Sequence, residues 1–366
     1  MKTGNYLLSV FLAFMLLVHP AASKETKPMG FAVSFPNLSF QLILSEEEHA
    51  YLEVPSNKPF TFQEIRGELI LVEFLSVYCV NCQRQAPILN NLYLRIERDK
   101  ALRGKVKIIG IAAGNNPREV ENFRKKYQVV YPILSDLRFE AHAAVGGPRT
   151  PFSIWVRKEK KGTGIVVSTH LGLINSQEMA LRETRAVLQY DVALLRPQKG
   201  TVYKGDSLKP PVTEQELSAK AKQGMEASGG RVLRIKKVSL RDGDWVYAGE
   251  IDFGTHQENL FSKLASRRAV CDICHDTFFM YTFDTKGKVV EIIPIQLTKN
   301  DNLEWTEEDI QKLRSRTLGR SILQPFPFDP DVDSVSGATI TSALIFEALD
   351  KAKEIHIKLK KEKYIQ

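Results

Sequence analysis

The chain holds four cysteines in two pairs of identical spacing, Cys79-Val80-Asn81-Cys82 and Cys271-Asp272-Ile273-Cys274. Two thiols one helical turn apart suit exchange chemistry: the first attacks a disulfide and the second resolves the mixed disulfide. Stapling bridges gain most by closing long loops, whereas each pair here closes a tiny ring, so chemistry is the stronger reading. His275 follows the second pair and completes the minimal attachment pattern for c-type haem, with two thiols for the vinyl groups and an imidazole for iron. Distant axial candidates are Met280, His256 and His170. A second redox-active disulfide at Cys271/Cys274 is an equal alternative, and a structural disulfide or partial metal site is a third. Four zinc ligands are not visible nearby, so zinc is the weakest of these readings and no metal-ligating residue is assigned. A third segment, Asp333-Ser334-Val335-Ser336-Gly337-Ala338-Thr339-Ile340-Thr341-Ser342, leads into the final helix. Small residues and hydroxyls before a helix allow close backbone approach and offer unpaired N–H donors, which together make a phosphate site. The Thr339 hydroxyl can be esterified by such a phosphate; a plain capping segment is the alternative.

These residues need elements to place them. Leu69 to Phe74 reads as a buried strand and Gln83 to Asp99 has helical spacing, so Cys79 falls between strand and helix. At a helix N-terminus the free N–H groups and the dipole favour a thiolate, which makes Cys79 the attacking sulfur. Pro87 lies within that helix and predicts a kink. A strand at Val106 to Ile111 and a helix at Pro117 to Tyr127 imply a parallel sheet flanked by helices. A hairpin pairs Phe152 to Val156 with Ile165 to Leu171. The Pro- and Gly-bearing stretch 196–214 predicts a linker between domains at 32–195 and 215–359. Beyond it come a helix near Glu214 to Ala227, strands near Val232 to Leu240, Asp244 to Ile251, Phe278 to Asp284 and Lys288 to Ile295, and a helix capped by Thr306. A single helix at Ala343 to Leu359 precedes a basic tail at 360–366.

At 366 residues, two domains are expected, and 43% hydrophobic with 26% charged residues is an ordinary globular balance. Residues 1–23 have the layout of a secretory signal: Lys2, an apolar run from Leu7 to Val18, then Pro20, Ala21, Ala22 and Ser23. That run is short of the roughly 20 residues a spanning helix needs. A periplasmic or otherwise exported location follows as an expectation. The net charge of +8 is partly concentrated in the lysines of the last helix, which reads as a solvated helix end, so no nucleic-acid partner is expected.

The stretch Ile70 to Cys82, with Thr150-Pro151 downstream, resembles the thioredoxin superfamily, particularly its exported disulfide-reductase and redoxin-like branch. The resemblance implies an α/β thioredoxin-like fold, a cis-proline at Pro151 shaping the substrate groove, and Glu73 as the buried acid that exchanges a proton with Cys82. Tyr78 stands where that family usually keeps Trp. The Ser336-Gly337-Ala338-Thr339 core, with the strand-turn-strand from Met280 to Pro294, resembles the FMN-binding domain of sodium-pumping quinone reductases and Rnf-type complexes. That resemblance implies an α+β domain binding FMN at Asp333, Ser336, Gly337, Ala338, Thr339 and Thr341, with a flavin transferase linking FMN phosphate to Thr339. Together they predict an exported thiol-disulfide oxidoreductase coupled to a flavin electron-transfer domain, serving a redox protein or a membrane electron-transport component. The alternative is a non-enzymatic carrier of FMN, with or without haem c, whose thioredoxin-like part only docks. Trp245, Tyr247 and Tyr281 read as core or rim residues rather than flavin ligands.

Overall fold

The computed structural model describes residues 28–41, 44–55, 58–158, 164–200, 202, 208–271, 274–299 and 302–365; the expected signal segment lies outside them. Its elements are β1 Ser34–Phe35, β2 Ser39–Phe40, α1 Glu46–Leu52, β3 Phe60–Thr61, β4 Leu69–Leu75, α2 Val80–Arg98, β5 Val106–Ala113, α3 Pro117–Tyr127, β6 Ile133–Asp136, α4 Glu140–Ala144, β7 Phe152–Lys158, β8 Gly164–Leu171 and α5 Gln177–Leu188. The C-terminal part has α6 Glu214–Glu226, β9 Arg231–Ser239, β10 Trp245–Asp252, β11 Gln257–Arg267, β12 Thr277–Asp284, β13 Val289–Gln296, α7 Glu307–Thr317, α8 Pro330–Asp333, α9 Thr339–Lys351 and α10 Lys353–Lys361.

Six strands form the first sheet in the order β1-β8-β7-β4-β5-β6. Strands β4, β5 and β6 are parallel, and β7 and β8 return antiparallel as the expected hairpin. Every residue of β4 is buried because both faces are covered, which is why it reads as an unbroken apolar run. Its side chains alternate between two cores. Leu69, Leu71 and Leu75 pack with Ala86, Leu89, Leu92 and Ile96 of α2, while Ile70, Val72 and Phe74 join Phe60, Phe62 and Ile65 on the opposite face. Glu73 shares the parity of Leu71 and Leu75, so it lies on the α2 side with the cysteines.

The second sheet is a five-stranded antiparallel meander, β13-β12-β11-β10-β9. Leu217, Ala221 and Met225 of α6 cover one face over Tyr247, Leu264 and Met280. Residues of α7, α9 and α10 cover the other over Phe261, Phe279, Tyr281 and Phe283. Met280 is therefore core and is not an axial ligand. Tyr247 and Tyr281 are core as expected, and Trp245 is half-buried under Lys237.

Strand β11 was not foreseen. Its polar residues Ser262, Lys263, Ser266 and Arg267 are all buried, which breaks the hydrophobic pattern a strand normally shows. Three of them have partners that hold them inside: Ser262 bonds Thr282, Lys263 pairs with Asp244, and Arg267 pairs with Glu347 of α9 at 2.6 Å. Replacing Glu347 by alanine leaves the Arg267 charge buried without that carboxylate and is expected to cost about 3–5 kcal/mol. Urea unfolding of the full chain measures it; an unchanged midpoint rejects the assignment.

One expectation at the C-terminus is corrected. The single final helix divides at Ala352 into α9 and α10. The expected basic tail runs on from that helix: Lys360 and Lys361 end α10, while Ile365 is buried and Tyr364 packs against the same core as the inward-facing Ile355 and Leu359. The expected linker begins as a strap, with Gln198 exchanging backbone bonds with Ala32 and Ser34 at 2.8 Å.

Candidate functional site

Cys79 caps α2. Its Sγ accepts the Cys82 N–H at 3.4 Å, the position expected of a nucleophile at a helix start. The loop before it is held by Asn115, whose Oδ1 accepts the Val77 N–H at 3.1 Å, and by the Gln83 amide donating to the Val77 carbonyl at 3.0 Å. Both sulfurs are buried and unbridged. The Cys79 thiol donates to the Thr150 carbonyl at 3.5 Å, and the Thr150–Pro151 bond is cis. The structure thus brings Cys79 and Cys82 together beside the cis Thr150–Pro151 bond.

Glu73 joins them from below. Its carboxylate accepts from the Ser153 hydroxyl and the Gln85 amide, and burial raises its pKa from the usual carboxylate range to about 8. Burial also pushes the Cys82 thiol up, helped by Cys79 and the Glu73 charge. Gln85 and Ser153 were not singled out from sequence. The signal was available for Gln85, which lies three residues beyond Cys82 on the inward face of α2; its Oε1 also accepts the Ile174 N–H at 2.7 Å.

The Asp333–Ser342 segment divides between two tasks. Asp333 is buried, pairs with Arg316 at 2.8 Å and accepts the Asp329 N–H at 2.8 Å, so it braces the turn rather than facing the cleft. Ser336 is exposed. Gly337 takes a left-handed φ of 71°, and Ala338 begins α9 with no side-chain cap, leaving the first N–H groups of a 13-residue helix free of a protein side chain. Thr341 donates to the Thr298 carbonyl at 2.9 Å, and Ser342 accepts the Val335 N–H at 3.0 Å. The Ser334 hydroxyl is buried and has no hydrogen-bond partner among the described residues. An uncapped helix start and a glycine without Cβ together suit a phosphate.

Gly337, Ala338, Thr339 and Thr341 line a cleft of about 530 Å³ whose other wall is Tyr78, Val80 and Gln83 from the start of α2. That volume falls in the range of small-molecule sites, about 300–1,000 Å³. Tyr78 reaches across it, donating to Glu119 and hydrogen-bonding the Thr339 side chain, and burial raises its phenol above the ordinary range. No sequence signal marked this junction, which joins residues more than two hundred positions apart.

Cys271 and Cys274 line the same cleft and form a disulfide. His275 is exposed, donates its N–H to Asn302 at 3.1 Å, and lines a separate cavity with Pro211 and Trp305. His170 bonds the Leu173 carbonyl at 3.2 Å and His256 stacks on Phe253. The haem set expected as one alternative is therefore not assembled around the cysteine pair. Among the described residues no cluster of metal-ligating side chains is present, and no helix is long and apolar enough to cross a membrane.

Fold and site define a thioredoxin-like redox domain followed by a flavin-binding domain. Residues 47–182 match the family model of the AhpC/TSA family, and residues 275–354 match that of the FMN-binding domain. The chain is 24% identical over 106 residues to the thiol-disulfide oxidoreductase ResA of Geobacillus thermodenitrificans, covering 29% of this chain and 58% of that protein. It is 22% identical over 125 residues to ResA of Bacillus subtilis, covering 34% of this chain and 67% of the relative. Among solved structures, StoA from Bacillus subtilis overlays with a TM-score of 0.31 at 18% identity, covering 41% of this chain and 98% of that one.

Proposed function

We propose that this chain is an exported thiol-disulfide oxidoreductase whose thiols exchange electrons with an FMN held in its C-terminal domain. The observation that carries the reading is the cleft walled on one side by the start of α2 and on the other by Gly337, Ala338, Thr339 and Thr341. The described part of the chain has the site chemistry, and the apolar run at Leu7 to Val18 supports export to the periplasm or its equivalent.

Cys79 attacks the substrate disulfide as a thiolate favoured by the start of α2. Cys82 is held as a thiol by burial until Glu73, poised near neutral pH, takes its proton and frees it to resolve the mixed disulfide. Pro151 and Thr150 border the groove. Gly337, Ala338 and the N–H groups at the start of α9 would hold the FMN phosphate; Ser336 flanks them, Thr341 ties the helix start to Thr298, and Asp333 fixes the turn through Arg316. When bound, FMN accepts or donates one or two electrons, which matches the two-electron chemistry of a dithiol. The Thr339 hydroxyl is the attachment point for a flavin transferase, and the outer partner is a redox protein or membrane electron-transport component.

Mass measurement of the peptide carrying Thr339, from protein made with a flavin transferase present, tests the cofactor. An FMN-sized increment that vanishes in Thr339→Ala is the expected result. Yellow protein with an unmodified peptide overturns the covalent link alone, and colourless protein overturns the flavin reading.

A further inference from the structure

Thr150 touches both cysteine pairs. Its carbonyl receives the Cys79 thiol at 3.5 Å, while its N–H donates to the Val270 carbonyl at 2.5 Å and its backbone forms a bridge with Cys271. The segment entering the second pair thus runs alongside the residue before Pro151, next to the attacking sulfur. Cys271 is 3% exposed and belongs to the same buried cluster as Cys79 and Cys82, with Cys274 packed against it. Arg149 locks the segment in place, donating to the Cys274 carbonyl at 3.1 Å and pairing with Asp276 at 3.3 Å. A disulfide spanning three positions constrains an unfolded chain far less than one closing a long loop, so stapling gives this pair little reason to sit here.

We infer that Cys271–Cys274 is an internal disulfide substrate of Cys79, docked permanently against Thr150 and relaying electrons between the Cys79/Cys82 pair and the cleft that Thr339 lines. The inference rests on the oxidoreductase reading and deepens it by naming one substrate within the chain. The step balances without an outside reagent. The Cys79 thiolate attacks Cys271 Sγ, the Cys271–Cys274 bond breaks, and Cys274 leaves as a thiolate. Cys82, giving its proton to Glu73, then attacks Cys79 Sγ; the Cys79–Cys82 bond forms and Cys271 leaves as a thiolate. Two electrons have passed and the one proton released rests on Glu73, leaving an oxidised Cys79–Cys82 pair and a Cys271/Cys274 pair reduced to two thiolates at the border of the flavin cleft. The exchange is reversible, so the same geometry serves flow in either direction.

Trapping in the full chain tests it. In the double variant Cys82→Ala, Cys274→Ala, oxidised glutathione should produce a Cys79–Cys271 disulfide within one molecule, identified by peptide mass. Separate glutathione adducts at Cys79 and Cys271 overturn the proposal. In the otherwise native chain, reduction of Cys271–Cys274 by one equivalent of dithiothreitol should slow at least about tenfold on Cys79→Ser, because the buried bridge then loses its adjacent thiol; an equal rate also overturns it. A chromogenic aryl disulfide separates the two levels. If reduced wild-type protein cleaves that probe through Cys79 but forms no internal link, the relay falls and the oxidoreductase reading stands. If Cys79 reacts in neither assay, both fall.

Discussion

Replacing Cys79 by serine is expected to lower thiol-disulfide turnover at least about a thousandfold, since loss of a covalent nucleophile removes the reaction path rather than tuning it. Serine retains a side-chain acceptor for the Cys82 N–H, so the start of α2 keeps its cap and the fold survives. Flavin content should not change, because Thr339 and its helix lie on the other wall of the cleft. Turnover of a small disulfide substrate and the visible spectrum, measured on one preparation, check both halves. A purely docking role for the thioredoxin-like part makes the opposite prediction, with electron transfer through flavin intact and thiol turnover absent in the wild type as well.

The second large effect belongs to Glu73. Substitution by glutamine keeps the size and the hydrogen-bonding capacity toward Ser153 and Gln85 but removes the proton acceptor. Resolution by Cys82 should slow by about 10² to 10⁴, while alkylation of Cys79 continues. The wild-type rate should rise with pH through about 8, where burial places the Glu73 titration, and the variant should lose that rise. Stability must move the other way. The folded pKa lies above the usual 4.5, so burial favours the neutral acid, and the carboxylate that accepts the Cys82 proton exists inside at a cost in stability. Its contribution is complete below 4.5 and is lost as pH climbs through 8. The difference is on the order of 4 kcal/mol, and Glu73→Gln should abolish it. Between pH 6 and pH 9 about 3 kcal/mol of it should appear in denaturant unfolding of the reduced proteins; parallel losses in both proteins would exclude Glu73 as the source.

Much of the thioredoxin-like half was legible in advance because its signals are local. Leu69 to Leu75 is buried on both faces, so hydrophobicity alone marks it, and a cysteine between that strand and a helix has one plausible position. The cap on α2 follows from chain order. The C-terminal half was less readable where polar residues are buried in pairs: Lys263 and Arg267 look like surface residues until Asp244 and Glu347 are seen beside them, and β11 disappears from the pattern with them. The partner of Asp333 was hidden for a related reason, since a carboxylate beside a phosphate motif and one held by Arg316 are the same letters.

Chemistry-bearing groups, their spacing and the helix starts that activate them are properties of short stretches of chain, and the order of residues was enough to find Cys79, Cys82 and the Ser-Gly-Ala-Thr turn. The meeting of those stretches is different. Thr150 beside Val270, Tyr78 against Thr339, and Cys271 in the core of the first domain arise from packing between segments over a hundred residues apart. Such contacts depend on the shapes of two folded surfaces, and no periodicity or motif within either surface encodes them.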